Sequence, residues 1–327
     1  MSWLTLVQAL ALTMAGAMII LALAFGVIDR GLRARLTGTG ARSERSLTML
    51  AALPLLGAAV FVAGCLFPAL AALWVPSMDH CLAHGQGGHL HLCPTHLPAH
   101  SSSWVGWLVL GLAGIVPVFY LTDLFRRLIA TERLKSQLER ASQREGVVRL
   151  IEASAVICFV VGVFRPVLFV SRALWEGLNE SERGVLVAHE LAHIARRDSL
   201  REVFARLLLA FHLPTSRARL LEDLSLTREQ ACDDQAAHVC GDRLAVAQLI
   251  VRIKRMALPS PSLSATLGAA SISGASLDAR IEHLLDPQPD AQPDLRLWWA
   301  IGLLLIAIFA AAHFLHHDVE HLLAALY

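Results

Sequence analysis

Apolar residues are gathered along this chain into four long runs. The first spans Trp3 to Ile28, with Gln8 its only strongly polar side chain. The second spans Met49 to Val75 and carries Pro54 and Pro68. The third spans Trp104 to Phe125, with Pro117 inside and Asp123 near its end, and the fourth spans Leu297 to Phe314. A bilayer core of about 30 Å needs about 20 helical residues, and all four runs are of that order. Trp3, Trp74, Trp104, Trp107, Trp298 and Trp299 lie near the predicted span ends, where indole rings suit the interface. The first run has no basic segment before it and exceeds the about 7–15 apolar residues of a cleaved signal, so it reads as a retained span.

Between the spans the pattern changes. Asn179 followed by Glu182 has the form of a capping box, which predicts a helix from there to about Arg197. Further helices are predicted at about 199–211, 225–239, 244–256 and 277–285, and Gly241 is a plausible C-cap. The third span is predicted to continue as a helix to about Gln143. Residues 156–170 are β-branched and aromatic on either side of Arg165-Pro166, which predicts a hairpin. Asp286 to Pro293 reads as a linker into the fourth span.

Charge orients this plan. The chain has 327 residues, 28 Lys+Arg against 27 Asp+Glu, and 55% hydrophobic against 17% charged residues. The near-neutral balance argues against direct nucleic-acid binding through a basic surface. Every Lys and Arg lies between Arg30 and Arg45 or between Arg126 and Arg296. By the excess of positive charge on cytoplasmic loops, residues 29–48 and 126–296 are expected in the cytoplasm. Residues 76–103 and the tail 315–327 are then expected outside. The expected fold is a mostly α membrane protein. Four transmembrane helices (1–28, 49–75, 104–125 and 297–314) accompany a cytoplasmic α+β domain, N-out and C-out, in a bacterial inner membrane.

The strongest chemical signal is His189-Glu190-Leu191-Ala192-His193. Helical residues four apart share a face, so two imidazoles can meet one zinc ion, with Glu190 beside it as a general base. A hydrolytic zinc site wants a third protein ligand and an open position. Ser199, six residues past His193, excludes the class that uses a third histidine there. Glu229 is the better candidate, with Asp233 on the same face to hold a ligand histidine. Asp234, Glu222 and His238 remain alternatives, and Cys232 reads as a small buried residue.

Phe169-Val170-Ser171-Arg172-Ala173-Leu174, then Val187 to Asp198 around the histidine motif, resembles the BlaR/MecR-type membrane metallopeptidases. Arg228-Glu229-Gln230-Ala231-Cys232-Asp233-Asp234 resembles their second zinc motif, which HtpX-type gluzincins share. The resemblance covers about residues 105–285. It implies a zinc endopeptidase with His189, His193 and Glu229 as ligands, Glu190 as base and Asp233 behind a ligand. It implies substrate pairing with Val167–Ser171, and a closing helix over Leu277–Leu285. Arg280 on that helix can face an oxyanion or form a structural ion pair, and His238 and His212 are weaker oxyanion candidates. The implied partners are membrane lipid and a protein substrate, either a transcriptional repressor or a membrane protein, in signal transduction. Only about a dozen residues follow the fourth span, so a β-lactam sensor domain is not expected there.

The segment 76–103 adds a second pattern: His80, Cys81, His84, His89, His91, Cys93, His96 and His100, with His313, His316, His317 and His321 in the tail. His and Cys at short spacing suit copper, zinc or nickel. Cys81 and Cys93 can instead form a disulfide in an oxidising compartment. The competing functional reading is therefore a non-proteolytic periplasmic metal sensor or metal-handling membrane protein.

Overall fold

The computed structural model describes residues 3–36, 41–75, 92–93, 101–257, 274–286 and 295–327. Three long helices come first: α1 (Trp3–Leu36), α2 (Ala41–Ala71) and α3 (Trp104–Ala141). Strands β1 (Gln143–Glu145), β2 (Val148–Ile151), β3 (Cys158–Val161) and β4 (Val167–Ser171) follow. Then come α4 (Arg172–Gly177), α5 (Glu180–Arg196), α6 (Asp198–Leu208), α7 (Pro214–Cys240), α8 (Arg243–Ala257), α9 (Gly274–Leu285) and α10 (Leu295–Ala324). A 3₁₀ turn, Leu209–Phe211, joins α6 to α7. Among the described residues, four stretches are long and apolar enough to cross a membrane: Trp3–Asp29, Ser43–Ala71, Trp104–Ala141 and Trp298–Ala324.

The predicted hairpin is present, with β3 antiparallel to β4. Two strands had not been predicted. β1 and β2 are only three and four residues long, and β1 is exposed throughout, so neither leaves a clear alternation. The sheet order is β1-β2-β4-β3, with β2 parallel to β4. This corrects the expectation that Val167–Ser171 pairs with substrate. β4 is bonded on both sides, and among the described residues β3 is the open edge next to α5.

Several helices are longer than their apolar patterns. α7 begins at Pro214, whose fixed φ suits a first helical position, rather than near Ser225. α10 continues through the predicted tail to Ala324. The start of α5 follows the sequence closely. The Asn179 side chain accepts from Glu182 N, and the Glu182 carboxylate accepts from Asn179 N, both at 2.9 Å. Its end is less ordinary. Arg197 has φ +56°, its N–H closes α5 on His193 and Ile194, and its carbonyl opens α6 by accepting from Leu200 and Arg201. One residue therefore terminates one helix and starts the next. The left-handed region costs a non-glycine residue about 1–2 kcal/mol.

Two apolar clusters flank the histidine motif. One joins the sheet to the helices, through Leu168, Val170, Leu174, Val185, Leu186, Ala236, Val246 and Leu284. The other fuses Phe25 of α1 and Leu47, Leu50 and Ala51 of α2 with Ala205, Leu209, Leu220 and Leu224. The approach is close at Gly26, where a Cβ would stand 2.6 Å from the Leu213 side chain. The helical region after α3 is thus built directly onto the ends of two membrane-length helices.

Candidate metal centre

Helix α5 places His189 and His193 one turn apart, half-buried, with ring centroids 4.9 Å apart and planes at 80°. Their Nε2 atoms lie 3.2 Å from each other. Glu229 enters from α7, with Oε2 3.6 Å from His189 Nε2 and Oε1 3.5 Å from His193 Nε2. Atoms held about 2.0–2.2 Å from one tetrahedral zinc ion stand about 3.3–3.6 Å apart. The two Nε2 atoms lie near that range, and each is 3.5–3.6 Å from a different oxygen of the Glu229 carboxylate, so the three side chains stand close enough to share one ion. The residues present therefore fit zinc.

Each imidazole is oriented by a carboxylate at its other nitrogen. His189 Nδ1 lies 3.0 Å from Asp233 Oδ1, and His193 Nδ1 lies 2.9 Å from Asp198 Oδ2. A carboxylate there fixes the Nδ1–H tautomer and frees the Nε2 lone pair for a cation. Asp198 closes the Val187–Asp198 motif in the sequence, but its role behind His193 is not marked there, because it lies beyond the helical periodicity, just past the Arg197 corner. The Arg-Arg-Asp run after the motif was its only local signal.

Arg280, on α9, is committed to carboxylates. It donates from Nε to Asp233 Oδ2 at 2.8 Å and from Nη2 to Asp233 Oδ1 at 2.7 Å, and its Nη1 lies 2.8 Å from Glu229 Oε2. Burial opposes charge on Glu229, yet Arg280 and the two imidazoles hold its carboxyl far below the usual range. Asp233 is lowered for similar reasons, burial being outweighed by His189 and Arg280. Burial also disfavours the charged imidazole of His189, but Asp233 and Glu229 prevail and raise its pKa to about 10.

Glu190 is half-buried, and its Oε1 accepts from the Cys158 thiol at 3.4 Å. Burial and the Glu190 charge push the thiol well up, so it stays protonated and donates. The contact joins β3 to the motif helix across 32 residues, too far for any local pattern to reveal. Cys232 lies 3.3 Å from His193 Nδ1 and 3.4 Å from Asp198 Oδ2. His193, Asp198 and Cys232 form a second cluster of ligand types. Burial and the Asp198 and Glu229 charges push the Cys232 thiol up.

The other sequence candidates lie elsewhere. Asp234 pairs with Arg243 at 2.8 Å and with His283 at 2.9 Å. Glu222 is exposed, and His238 is exposed near the end of α7. His212 is buried against the Phe25 ring and donates from Nε2 to Ala51 O at 2.9 Å. His80, Cys81, His84, His89, His91, His96 and His100 lie outside the described residues. Cys93 is buried, and its neighbour Leu92 donates from N to Glu320 Oε1 on α10 at 2.8 Å.

Residues 101–241 match the family of BlaR1 peptidase M56. That segment contains the sheet, His189, Glu190, His193 and Glu229, and ends before α9 and Arg280. A protease HtpX homolog from Acidiphilium cryptum (strain JF-5) is 26% identical over 249 residues, covering 64% of this chain and 84% of that protein. No solved structure matches the chain. With four membrane-length apolar helices among the described residues, these matches make the chain similar to membrane metallopeptidases of the BlaR/HtpX type.

Proposed function

We propose that this chain is a zinc-dependent endopeptidase that cleaves a cytosolic regulator or a membrane protein, with its active site on the cytoplasmic face of a bacterial inner membrane. The observation that carries the reading is the triangle of His189 Nε2, His193 Nε2 and the Glu229 carboxylate, with both Nδ1 atoms turned to aspartates. Zinc held by these residues would supply a Lewis acid and lower the pKa of a bound water. Glu190, next to His189 in sequence, accepts a proton during attack on the peptide carbonyl and returns it to the leaving amine. The Cys158 thiol holds one Glu190 oxygen and leaves the other for that proton. The free edge of β3 offers backbone groups to an extended substrate, beside the helix that carries Glu190. The Lys- and Arg-bearing stretches support an N-out, C-out arrangement, and a signalling role is what the resemblance to BlaR/MecR-type proteins implies.

Two variants test this. Glu190→Gln should retain zinc in the purified full chain and lose cleavage of a casein probe by about 10²–10⁴-fold. His189→Ala should lose zinc as well. Undiminished cleavage by the Glu190→Gln chain would sink the enzymatic reading. Comparing membrane and cytosolic proteomes of cells expressing the native or the Glu190→Gln chain then identifies the substrate.

A further inference from the structure

The first turn of α2 carries a carboxylate that the catalytic reading does not use. Glu44 is 4% exposed, and it is bound by three arginines from the region that holds the metal centre. Arg196 Nη2 donates to its Oε2 at 2.6 Å, Arg201 Nη1 to the same oxygen at 2.9 Å, and Arg228 Nε to its Oε1 at 3.0 Å. Arg228 is also bound to Glu202. The cluster is therefore paired on every side, as buried charge must be.

Two of those arginines lead to the ligands. Arg196 is three residues past His193 on α5, and its Nε lies 3.3 Å from the Asp198 carboxylate, which holds His193 Nδ1 at 2.9 Å. Arg228 immediately precedes Glu229 on α7. One carboxylate on a membrane-length helix thus grips both helices that supply the ligand triangle. It reaches His193 through a chain of three charged contacts: Glu44 to Arg196, Arg196 to Asp198, and Asp198 to His193. His189 is held differently, from Asp233 and Arg280.

We propose that Glu44 is a positioning residue for the metal centre, through which the second membrane helix sets the orientation of His193 and the spacing between His193 and Glu229. A displacement of α2 along or about its axis then reaches the ligands through charge pairs, without touching Glu190. This rests on the reading of His189, His193 and Glu229 as zinc ligands.

The test uses the purified full chain in detergent micelles, with zinc alone as probe in competition with a chromophoric chelator. Cobalt substitution supplies a spectrum that reports ligand geometry. Four chains are compared: native, Glu44→Gln, Asp198→Asn and the double variant. Glu44→Gln should weaken zinc binding about tenfold, the lower end for groups that orient ligands, and should shift the cobalt bands. Because Glu44 acts partly through Asp198, the double variant should lose less than the product of the two single losses. Native affinity and spectrum in Glu44→Gln, or losses that multiply, would overturn the proposal while leaving the metal centre intact. A native chain that binds no zinc would remove the metal centre itself, and the role of Glu44 with it. Should Glu44→Gln fail to accumulate, Arg196→Lys keeps the charge but loses the guanidinium's second head, and the same outcomes decide.

Discussion

The two sides of α5 are held by different physics. Toward the sheet, the helix buries Val185 and Leu186 against Leu168, Val170 and Leu174, a cluster of apolar side chains. Toward α2, Arg196 at the helix end meets a buried carboxylate, among the charged groups Arg201, Arg228, Glu202 and Asp198. An apolar face tolerates sliding and repacking as long as volume is kept. A charged face does not, because each carboxylate needs its own donor in place and a stranded buried charge is costly. The same division separates the two ligand histidines. His189 is oriented from within the globular region, by Asp233 and Arg280. His193 is oriented from the membrane side, by Asp198 and Arg196.

The largest effect comes from removing a buried partner of the charged groups that hold His189, set against a cavity on the apolar side. Arg280→Ala leaves Asp233 and Glu229 without their guanidinium and should destabilise the zinc-free chain by about 3–5 kcal/mol, read as a loss of thermal unfolding temperature. Leu174→Ala makes a cavity on the apolar side and should cost about 2–5 kcal/mol. Leu174→Met keeps the volume and should cost less than about 1.5 kcal/mol. Arg280 has no equally mild replacement, since Lys cannot reach both carboxylates with a planar fork.

A finer test compares the two aspartates. Asp198→Asn and Asp233→Asn should each weaken zinc binding about 10–100-fold, measured by chelator competition. Asp233→Asn should be the worse, because it also halves the charge facing Arg280, whereas Arg196 keeps Glu44 when Asp198 is neutralised. A double variant that loses less than the product of the two single losses would mean that the two histidines are not held independently. The smallest effect belongs to the helix start: Asn179→Ala should lower stability by about 1 kcal/mol and leave zinc affinity unchanged.

What the sequence made legible follows the reach of local patterns. Four apolar runs, the capped motif helix and the hairpin about Arg165-Pro166 all depend on residues within a few positions of each other. The spacing of His189, His193, Glu229 and Asp233 is helical, so one face of each helix could be read directly. The role of Asp198 was hidden by a left-handed corner that breaks the helical period. Glu44 pairs with residues 152, 157 and 184 positions away, and no pattern along the chain encodes such a pairing. The short strands β1 and β2 are fixed by the sheet they join rather than by their own residues.

The corner at Arg197 also sets a rule for changes in length. Since α5 hands over to α6 at one residue, the junction has no slack to absorb an insertion. At 3.6 residues per turn, one residue added to α5 between His193 and Arg197 turns everything after it by about 100°. Asp198 would swing off the His193 ring, while every side chain in the junction stayed chemically the same. The register of this corner, more than the identity of the residue that makes it, is what the metal centre depends on.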